Sequence, residues 1–219
     1  PVLTLSTFSC IIYLMENNEK YALNAAAYNE IADEWHKFRK TCKVNKCVKE
    51  FCSLLPEGAN VLDAGCGTGY PISAYLSECG FKVTGFDPSE KMLEKAKALN
   101  LRNAEFYKSD FLNFKTNLLF DAVIAFDCLW YIEHERQREI YEKAASLLKS
   151  GGFFMFTHGK ENGEVSGDMM GKTFYYSALS LDETLTLLKQ NGFKTLRAET
   201  DYSEQTSGTR DLLVFAKKL

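Results

Sequence analysis

Three glycines at alternate positions, followed one strand later by an aspartate, are the residues of this chain whose types and spacing best predict chemistry. Residues 61–69 read Val-Leu-Asp-Ala-Gly-Cys-Gly-Thr-Gly. Glycine lets the backbone approach a ligand where a side chain would collide. Asp87 ends the next predicted strand, 22 residues after Gly65. A carboxylate there can accept both hydroxyls of a ribose, so the two features together predict a site for an adenosine-containing cofactor.

Other interpretations of these residues stay open. The loop could be a tight strand-to-helix turn without a ligand, and Asp87 could cap a following helix, a role that can coexist with ribose binding. A dinucleotide enzyme is less consistent with the spacing, because Tyr70 occupies the place of the third glycine in Gly-x-Gly-x-x-Gly. Asp63, two residues before the first glycine, also suits a cationic ligand better than a pyrophosphate.

With these motifs, the sequence resembles the class I S-adenosylmethionine-dependent methyltransferases. The resemblance runs from about Tyr28 to the last residue, and its motifs occur in fixed order in segments 61–69, 83–99, 109–111, 120–134 and 147–157. It implies S-adenosylmethionine as cofactor and S-adenosylhomocysteine as product. It also implies a Rossmann-like, doubly wound α/β fold, with a seven-stranded sheet in the order 3-2-1-4-5-7-6 and one antiparallel edge strand.

The resemblance implies cofactor-binding roles in four parts of the chain. Residues that would surround the methionine part or shape the glycine loop are Asp63, Gly65, Cys66, Gly67 and Gly69. Residues that would hold the ribose and the adenine are Asp87, Pro88, Ser89, Met92, Ser109, Asp110 and Phe111. Residues after the fourth strand, near the methionine part, are Phe126, Asp127 and Leu129. Residues of a helical segment that would close over the cofactor are Tyr28, Trp35 and Arg39.

A general base is needed only if the methyl acceptor arrives protonated. Two residues at predicted strand ends are candidates for this catalytic role: Asp127 after the fourth strand and His158 after the fifth. A solvated loop histidine is the alternative interpretation of His158. Further candidates are Tyr131, Glu133, His134, Tyr175 and Tyr176.

Charge and composition limit the classes of acceptor. The 219 residues include 26 Lys and Arg against 29 Asp and Glu, a formal charge of −3. The chain therefore lacks the positive field typical of nucleic-acid binding. Its basic residues between 37 and 49 are typical of a solvated helix face. We expect an O or N atom of a small molecule as acceptor, while a protein or RNA acceptor and a non-catalytic cofactor-binding protein remain alternatives.

The cysteine pattern and the first residues bear on compartment and partners. Seven cysteines without a Cys-x-x-Cys pair, and three well-separated histidines, predict free thiols, a cytoplasmic location and no metal site. Residues 1–14 fit neither a signal peptide nor a membrane span. We expect 1–20 to be irregular or a leader, no membrane association, and a monomer or homodimer.

The elements that must position these residues alternate between strands and helices, which predicts a parallel sheet covered on both faces. Residues 21–219 are interpreted as one domain, with a helical cap at 21–55. The last two strands, near 193–199 and 211–217, have no helix between them and should pair as a hairpin. Segment 159–180 is rich in glycine, methionine and aromatic residues, which suits a mobile substrate lid or an ordinary crossover.

Overall fold

The computed structural model describes residues 17–204 and 208–219. The helices are α1 (Asn17–Thr41), α2 (Lys46–Cys52), α3 (Ile72–Glu78), α4 (Glu90–Ala98), α5 (Glu139–Leu147) and α6 (Leu181–Gln190). The strands are β1 (Asn60–Ala64), β2 (Lys82–Asp87), β3 (Ala104–Lys108), β4 (Phe120–Ala125), β5 (Leu148–His158), β6 (Gly163–Met169), β7 (Lys172–Ala178), β8 (Phe193–Glu204) and β9 (Gly208–Lys218). Two short 3-10 turns, Leu129–Tyr131 and His134–Arg136, follow β4.

Seven of the nine described strands form one sheet, in the order β3-β2-β1-β4-β5-β9-β8. The first five strands of the chain pair in parallel, whereas β9 runs antiparallel between β5 and β8. When only these seven strands are numbered along the chain, β8 and β9 become strands 6 and 7, and the order is 3-2-1-4-5-7-6, as predicted. The predicted fold class is confirmed. The antiparallel strand lies next to the edge strand, and the remaining two strands, β6 and β7, form a separate hairpin.

The central strands are apolar at almost every position because both faces of the sheet are covered. Successive side chains of a strand point to opposite faces. Leu62 and Phe154 accordingly pack in a cluster with residues of α5 and α6. Val61 and Met155 pack on the other face, with residues of α2 and α3. This two-sided burial leaves the strand ends and their loops as the places where polar side chains can meet a ligand.

Several element bounds differ from the predicted ones. The cap at 21–55 is two helices separated at 42–45, and α1 begins at Asn17, so residues 17–20 are helical rather than irregular. The rest of the segment 1–20 that was predicted to be irregular or a leader, residues 1–16, lies outside the described residues. The segment predicted as a lid or crossover is largely the β6–β7 hairpin, which turns at Met170 and Gly171, both with positive φ. None of the described helices has the length and apolar character needed to cross a membrane.

Candidate active site

A cavity of about 280 Å³ lies at the carboxyl ends of β1, β2 and β4, the edge where open parallel sheets bind ligands. Its walls come from the glycine loop, the start of α4, the turn after β4, helix α1 and the β6–β7 hairpin. The predicted site residues that line it are Tyr28, Trp35, Arg39, Asp63, Gly65, Cys66, Gly67, Asp87, Pro88, Met92, Asp110, Phe111, Phe126 and Asp127. Four distant parts of the sequence therefore meet at one site.

The glycine loop is held in a conformation that side chains disfavour. Gly65, Gly67 and Gly69 have φ values of +71°, +53° and +80°. A Cβ on Gly65 would lie 2.5 Å from the Cβ of Cys128, whereas a Cβ on Gly67 would meet no atom within 4 Å. The loop also leaves the Thr68 hydroxyl buried, at 1% exposure, on the cavity wall and without a hydrogen-bond partner among the described residues. Close backbone approach and an unpaired hydroxyl both fit a bound polar ligand.

Asp87 connects the glycine loop with the start of α4. Its carboxylate accepts hydrogen bonds from the backbone N–H of Gly67 at 3.0 Å and of Ser89 at 2.8 Å. The side chain is only 8% exposed, and burial raises its pKa to about 6 although both hydrogen bonds lower it. The cap of α4 is Ser89, whose hydroxyl accepts the Met92 N–H, so Asp87 holds the cap residue in place and does not cap the helix itself.

Asp63 is a second buried carboxylate on the same cavity. It is 2% exposed and accepts a hydrogen bond from the Ser73 hydroxyl. Burial raises its pKa to about 6, against the lowering effects of that hydrogen bond and of the Arg39 guanidinium. Arg39 itself lies 5.6 Å from the centre of the Trp35 ring. Both carboxylates are ionised at neutral pH although burial disfavours their charged form. A ligand that brings positive charge or hydroxyl donors would stabilise them.

Comparison with known proteins agrees with this geometry. Residues 61–152, from β1 into β5, match a family model described as a methyltransferase domain. Over these residues the chain is similar to methyltransferases. The matched region contains the glycine loop, Asp87, Asp110 and Asp127, which contribute to the lining of the cavity.

Two relatives and one solved structure show how far the similarity extends. The cypemycin N-terminal methyltransferase of a Streptomyces species is 34% identical over 125 residues, covering 54% of this chain and 50% of that protein. The carboxy-S-adenosyl-L-methionine synthase of Campylobacter fetus is 34% identical over 107 residues, covering 47% and 45%. The 1,6-didemethyltoxoflavin-N1-methyltransferase of Burkholderia thailandensis has the same fold, with a TM-score of 0.71, 17% identity, and coverage of 93% and 91%. The chain spans about half the length of the curated relatives it matches.

Four of the residues predicted to bind the cofactor do not line the cavity. Ser89 is fully buried, and its hydroxyl accepts the Met92 N–H and meets the Asn29 side chain at 2.8 Å. Leu129 is part of the core, and Gly69 packs against Leu99. The Ser109 hydroxyl bonds the carbonyl of the next residue, Asp110. These residues position the neighbours that reach the cavity.

The prediction that His158 reaches the catalytic edge is wrong. The His158 side chain lies on the same face of β5 as Phe154 and Phe156, the face that α5 and α6 cover, since alternate side chains of a strand point the same way. It is fully buried, does not line the cavity, and holds Nε2 2.8 Å from the side-chain oxygen of Gln137. Burial lowers its pKa to about 4, so the imidazole is neutral and structural.

Asp127 lines the cavity, but the structure contradicts its predicted role as a free base. Arg210 of β9 binds it in a bidentate pair, with Nε–Oδ1 at 3.1 Å and Nη2–Oδ2 at 2.6 Å. The Thr157 hydroxyl donates to the same carboxylate at 2.9 Å. Both oxygens of this carboxylate are therefore already engaged by donors from Arg210 and Thr157.

The cavity also contains residues that were not assigned to the cofactor site from sequence. These are Asn24, Ala25, Thr68, Tyr70, Ile72, Phe86, Cys128, Trp130, Tyr131, Ile132, Met169 and Tyr176. Tyr131 and Tyr176 were considered only as bases, whereas Glu133, His134 and Tyr175 do not line the cavity. The position of Thr68 between two loop glycines was the available signal for that residue. The hairpin residues had no local signal, because their placement depends on how the hairpin folds over the sheet.

Proposed function

We propose that this methyltransferase moves a methyl group from S-adenosylmethionine to an O or N atom of a small molecule by in-line displacement. When bound, S-adenosylmethionine supplies a methyl group activated by a positively charged sulfur. The observation that carries the proposal is the pair of buried carboxylates, Asp63 and Asp87, on the same cavity as the glycine loop, whose residue Thr68 has a buried hydroxyl without a hydrogen-bond partner among the described residues.

The chain's own residues divide into those that hold the cofactor and those that shape the acceptor side. Asp87 would accept the ribose hydroxyls, and Asp110 would accept the adenine amino group. Asp63 and Arg39 would hold the amino and carboxylate groups of the methionine part, which carry opposite charges. Fixing one reactant in this way allows catalysis by alignment, which is worth up to about 7–11 kcal/mol in favourable systems.

The enclosure of the site favours a small acceptor over a folded protein or RNA. Helix α1 is tied to the hairpin, because the Asn24 side chain bonds both the N–H and the carbonyl of Tyr175 at 2.9 Å. The Lys20 ammonium pairs with Glu164 of the same hairpin at 3.1 Å. These contacts hold a cover over the cavity that a macromolecule would have to displace. The toxoflavin-precursor methyltransferase with the same fold, named for a small heterocyclic substrate, gives further support.

The compartment and assembly form part of the proposal. The six described cysteines are all free thiols, which supports a reducing, cytoplasmic environment. We expect a monomer or a homodimer, and light scattering of the eluting peak in size-exclusion chromatography would distinguish the two.

Calorimetric titration with S-adenosylhomocysteine, and with NAD as a control, tests the cofactor assignment. We expect micromolar binding of S-adenosylhomocysteine and none of NAD. The reverse result would mean that the glycine loop is a dinucleotide site and would end the assignment. Tight binding without turnover over a broad acceptor panel would instead favour a non-catalytic cofactor-binding protein.

A further inference from the structure

Four aromatic side chains from α1, the turn after β4 and the β6–β7 hairpin lie close together in the lining of the cavity. We name Tyr28, Trp130, Tyr131 and Tyr176 the aromatic wall; all four line the cavity. Ring centres are 5.7 Å apart for Tyr28 and Tyr131, 5.5 Å for Tyr131 and Tyr176, and 6.4 Å for Trp130 and Tyr176. Clustered rings of this kind present negative π faces, which attract a cation within about 6 Å.

The charged side chains that line the cavity favour a cation as well. Its carboxylates are Asp63, Asp87, Asp110 and Asp127, of which Asp127 is already paired with Arg210, and its one basic side chain among the described residues is Arg39. An anionic acceptor would therefore enter a cavity that already carries an excess of negative charge. This excludes a carboxylate as the favoured acceptor and leaves amines, alcohols and phenols.

Proton removal separates amines from alcohols and phenols. Each lining carboxylate is already engaged by donors, and Asp110 for example accepts both the backbone and the side-chain N–H of Asn113 at 2.8 Å. The hydroxyls of Tyr28 and Tyr131 bond each other at 2.7 Å, and burial raises the pKa of both. None of the described lining residues is thus placed as a free base for a hydroxyl acceptor, whereas an uncharged amine needs none.

A second cavity borders two residues of the aromatic wall and extends this pattern. It has a volume of about 460 Å³ and shares Trp130 and Tyr176 with the first cavity. Its carboxylates are Glu161, Asp211 and Glu164, of which Glu164 is already paired with Lys20. Its basic side chains are already paired, Lys160 with Asp201 and Arg210 with Asp127. The body of a basic acceptor would find room and complementary charge there.

We propose that the acceptor is a small basic amine, methylated on nitrogen, and that the aromatic wall holds its cationic product. This inference rests on the proposed function. The nitrogen lone pair forms the new N–C bond while the C–S bond breaks, and the electron pair of that bond stays on sulfur. The positive charge moves from sulfur to nitrogen, so the cavity holds one cation before and after transfer. The acceptor reacts as the uncharged amine, so the proton of its ammonium form goes to water before transfer. Where the nitrogen carried a further hydrogen, that proton goes to water afterwards.

A pair of isosteric ligands tests the preference for charge without turnover. Para-(trimethylammonio)benzyl alcohol mimics a methylated product, and para-tert-butylbenzyl alcohol has the same shape without the charge. Each is titrated calorimetrically into the full chain, with and without saturating S-adenosylhomocysteine. We expect the cation to bind at least about tenfold more tightly than the neutral compound, from contacts with several rings. Equal binding, tighter binding of the neutral compound, or no measurable binding of the cation would overturn the inference.

Variants of Tyr176 locate the preference at the aromatic wall. Tyr176→Leu should reduce the preference to about threefold or less, whereas Tyr176→Phe keeps the ring and should keep the preference. Thermal melts establish that both variants fold, and if the leucine variant does not, Trp130→Leu replaces it. A preference unchanged in the leucine variant would place the cation elsewhere and overturn the assignment. Absence of S-adenosylhomocysteine binding would defeat the proposed function, while the isosteric pair alone would still decide the charge preference.

Discussion

Replacing Asp87 with asparagine separates cofactor binding from stability at one side chain. The shape of the residue is kept, but its negative charge is lost and one oxygen becomes an NH₂ group. That NH₂ group faces a backbone N–H, either of Gly67 or of Ser89, which the carboxylate now accepts at 3.0 and 2.8 Å. The substitution therefore disturbs the glycine loop and removes the charge that would strengthen bonds to ribose hydroxyls.

The size of the effect follows from the contacts. A hydrogen bond to a charged group contributes about 1.5–3 kcal/mol, and about 1.4 kcal/mol corresponds to a tenfold change in affinity. We expect the affinity for S-adenosylhomocysteine to fall by about 10- to 100-fold. The free energy of unfolding should change by less than the free energy of binding. Burial raises the pKa of Asp87 to about 6, so the charged form is unfavourable in the free protein, and its loss offsets part of the lost hydrogen bonding.

A matched control lies at the amino-terminal end of a central strand, at the end of the sheet away from the cavity. Asp121, at the start of β4, also accepts a backbone N–H, from Asn60 at 2.9 Å, and pairs with Lys149 at 2.8 Å. Asp121→Asn should lower the free energy of unfolding by about 1 kcal/mol and leave the affinity unchanged. Calorimetric titration and chemical denaturation measure both quantities. A folded Asp87→Asn variant with wild-type affinity would refute the assignment of Asp87 to the cofactor site.

Three further predictions concern protons and buried polar groups. The pKa values of Asp63 and Asp87 near 6 predict that affinity for S-adenosylhomocysteine, titrated at several pH values, weakens as pH falls below about 6, and pH-independent affinity would contradict the assignment. Because both pKa values are raised, the free folded protein binds more protons than the unfolded chain between about pH 6 and 4. The contribution of these two groups to stability should therefore increase as pH falls towards about 4. His158→Ala should lower the free energy of unfolding by about 1–3 kcal/mol in denaturant titrations but keep the affinity within about twofold, and a selective loss of turnover would restore a catalytic role. Arg210→Met should lower the free energy of unfolding by about 2–4 kcal/mol, because it leaves Asp127 without its ion-pair partner. In a double-mutant cycle, adding Asp127→Asn should recover part of that loss. Additive losses would show that the two groups do not interact.

Much of the cofactor side of the site could be predicted because its signals are local. The glycine loop directly follows β1, and Asp87 directly ends β2, so the covalent chain alone places both at the carboxyl edge once the two strands pair in parallel. The alternation of strands and helices, together with the family resemblance, predicted the sheet and its order. The prediction for His158 was wrong, because a position at the end of a strand does not determine on which face of the strand the side chain lies.

The acceptor side was decided by tertiary structure. Asp127 and Arg210 are 83 residues apart, and the ion pair that engages the carboxylate forms only because β9 inserts beside β5. The aromatic wall likewise joins α1, the turn after β4 and the hairpin, through rings separated by up to 148 residues. Sequence alone placed the glycine loop and Asp87 at one edge of the sheet, since they lie at the ends of consecutive strands. Charge pairing, burial and the shape of the acceptor cavity depend on long-range packing, which no local pattern encodes.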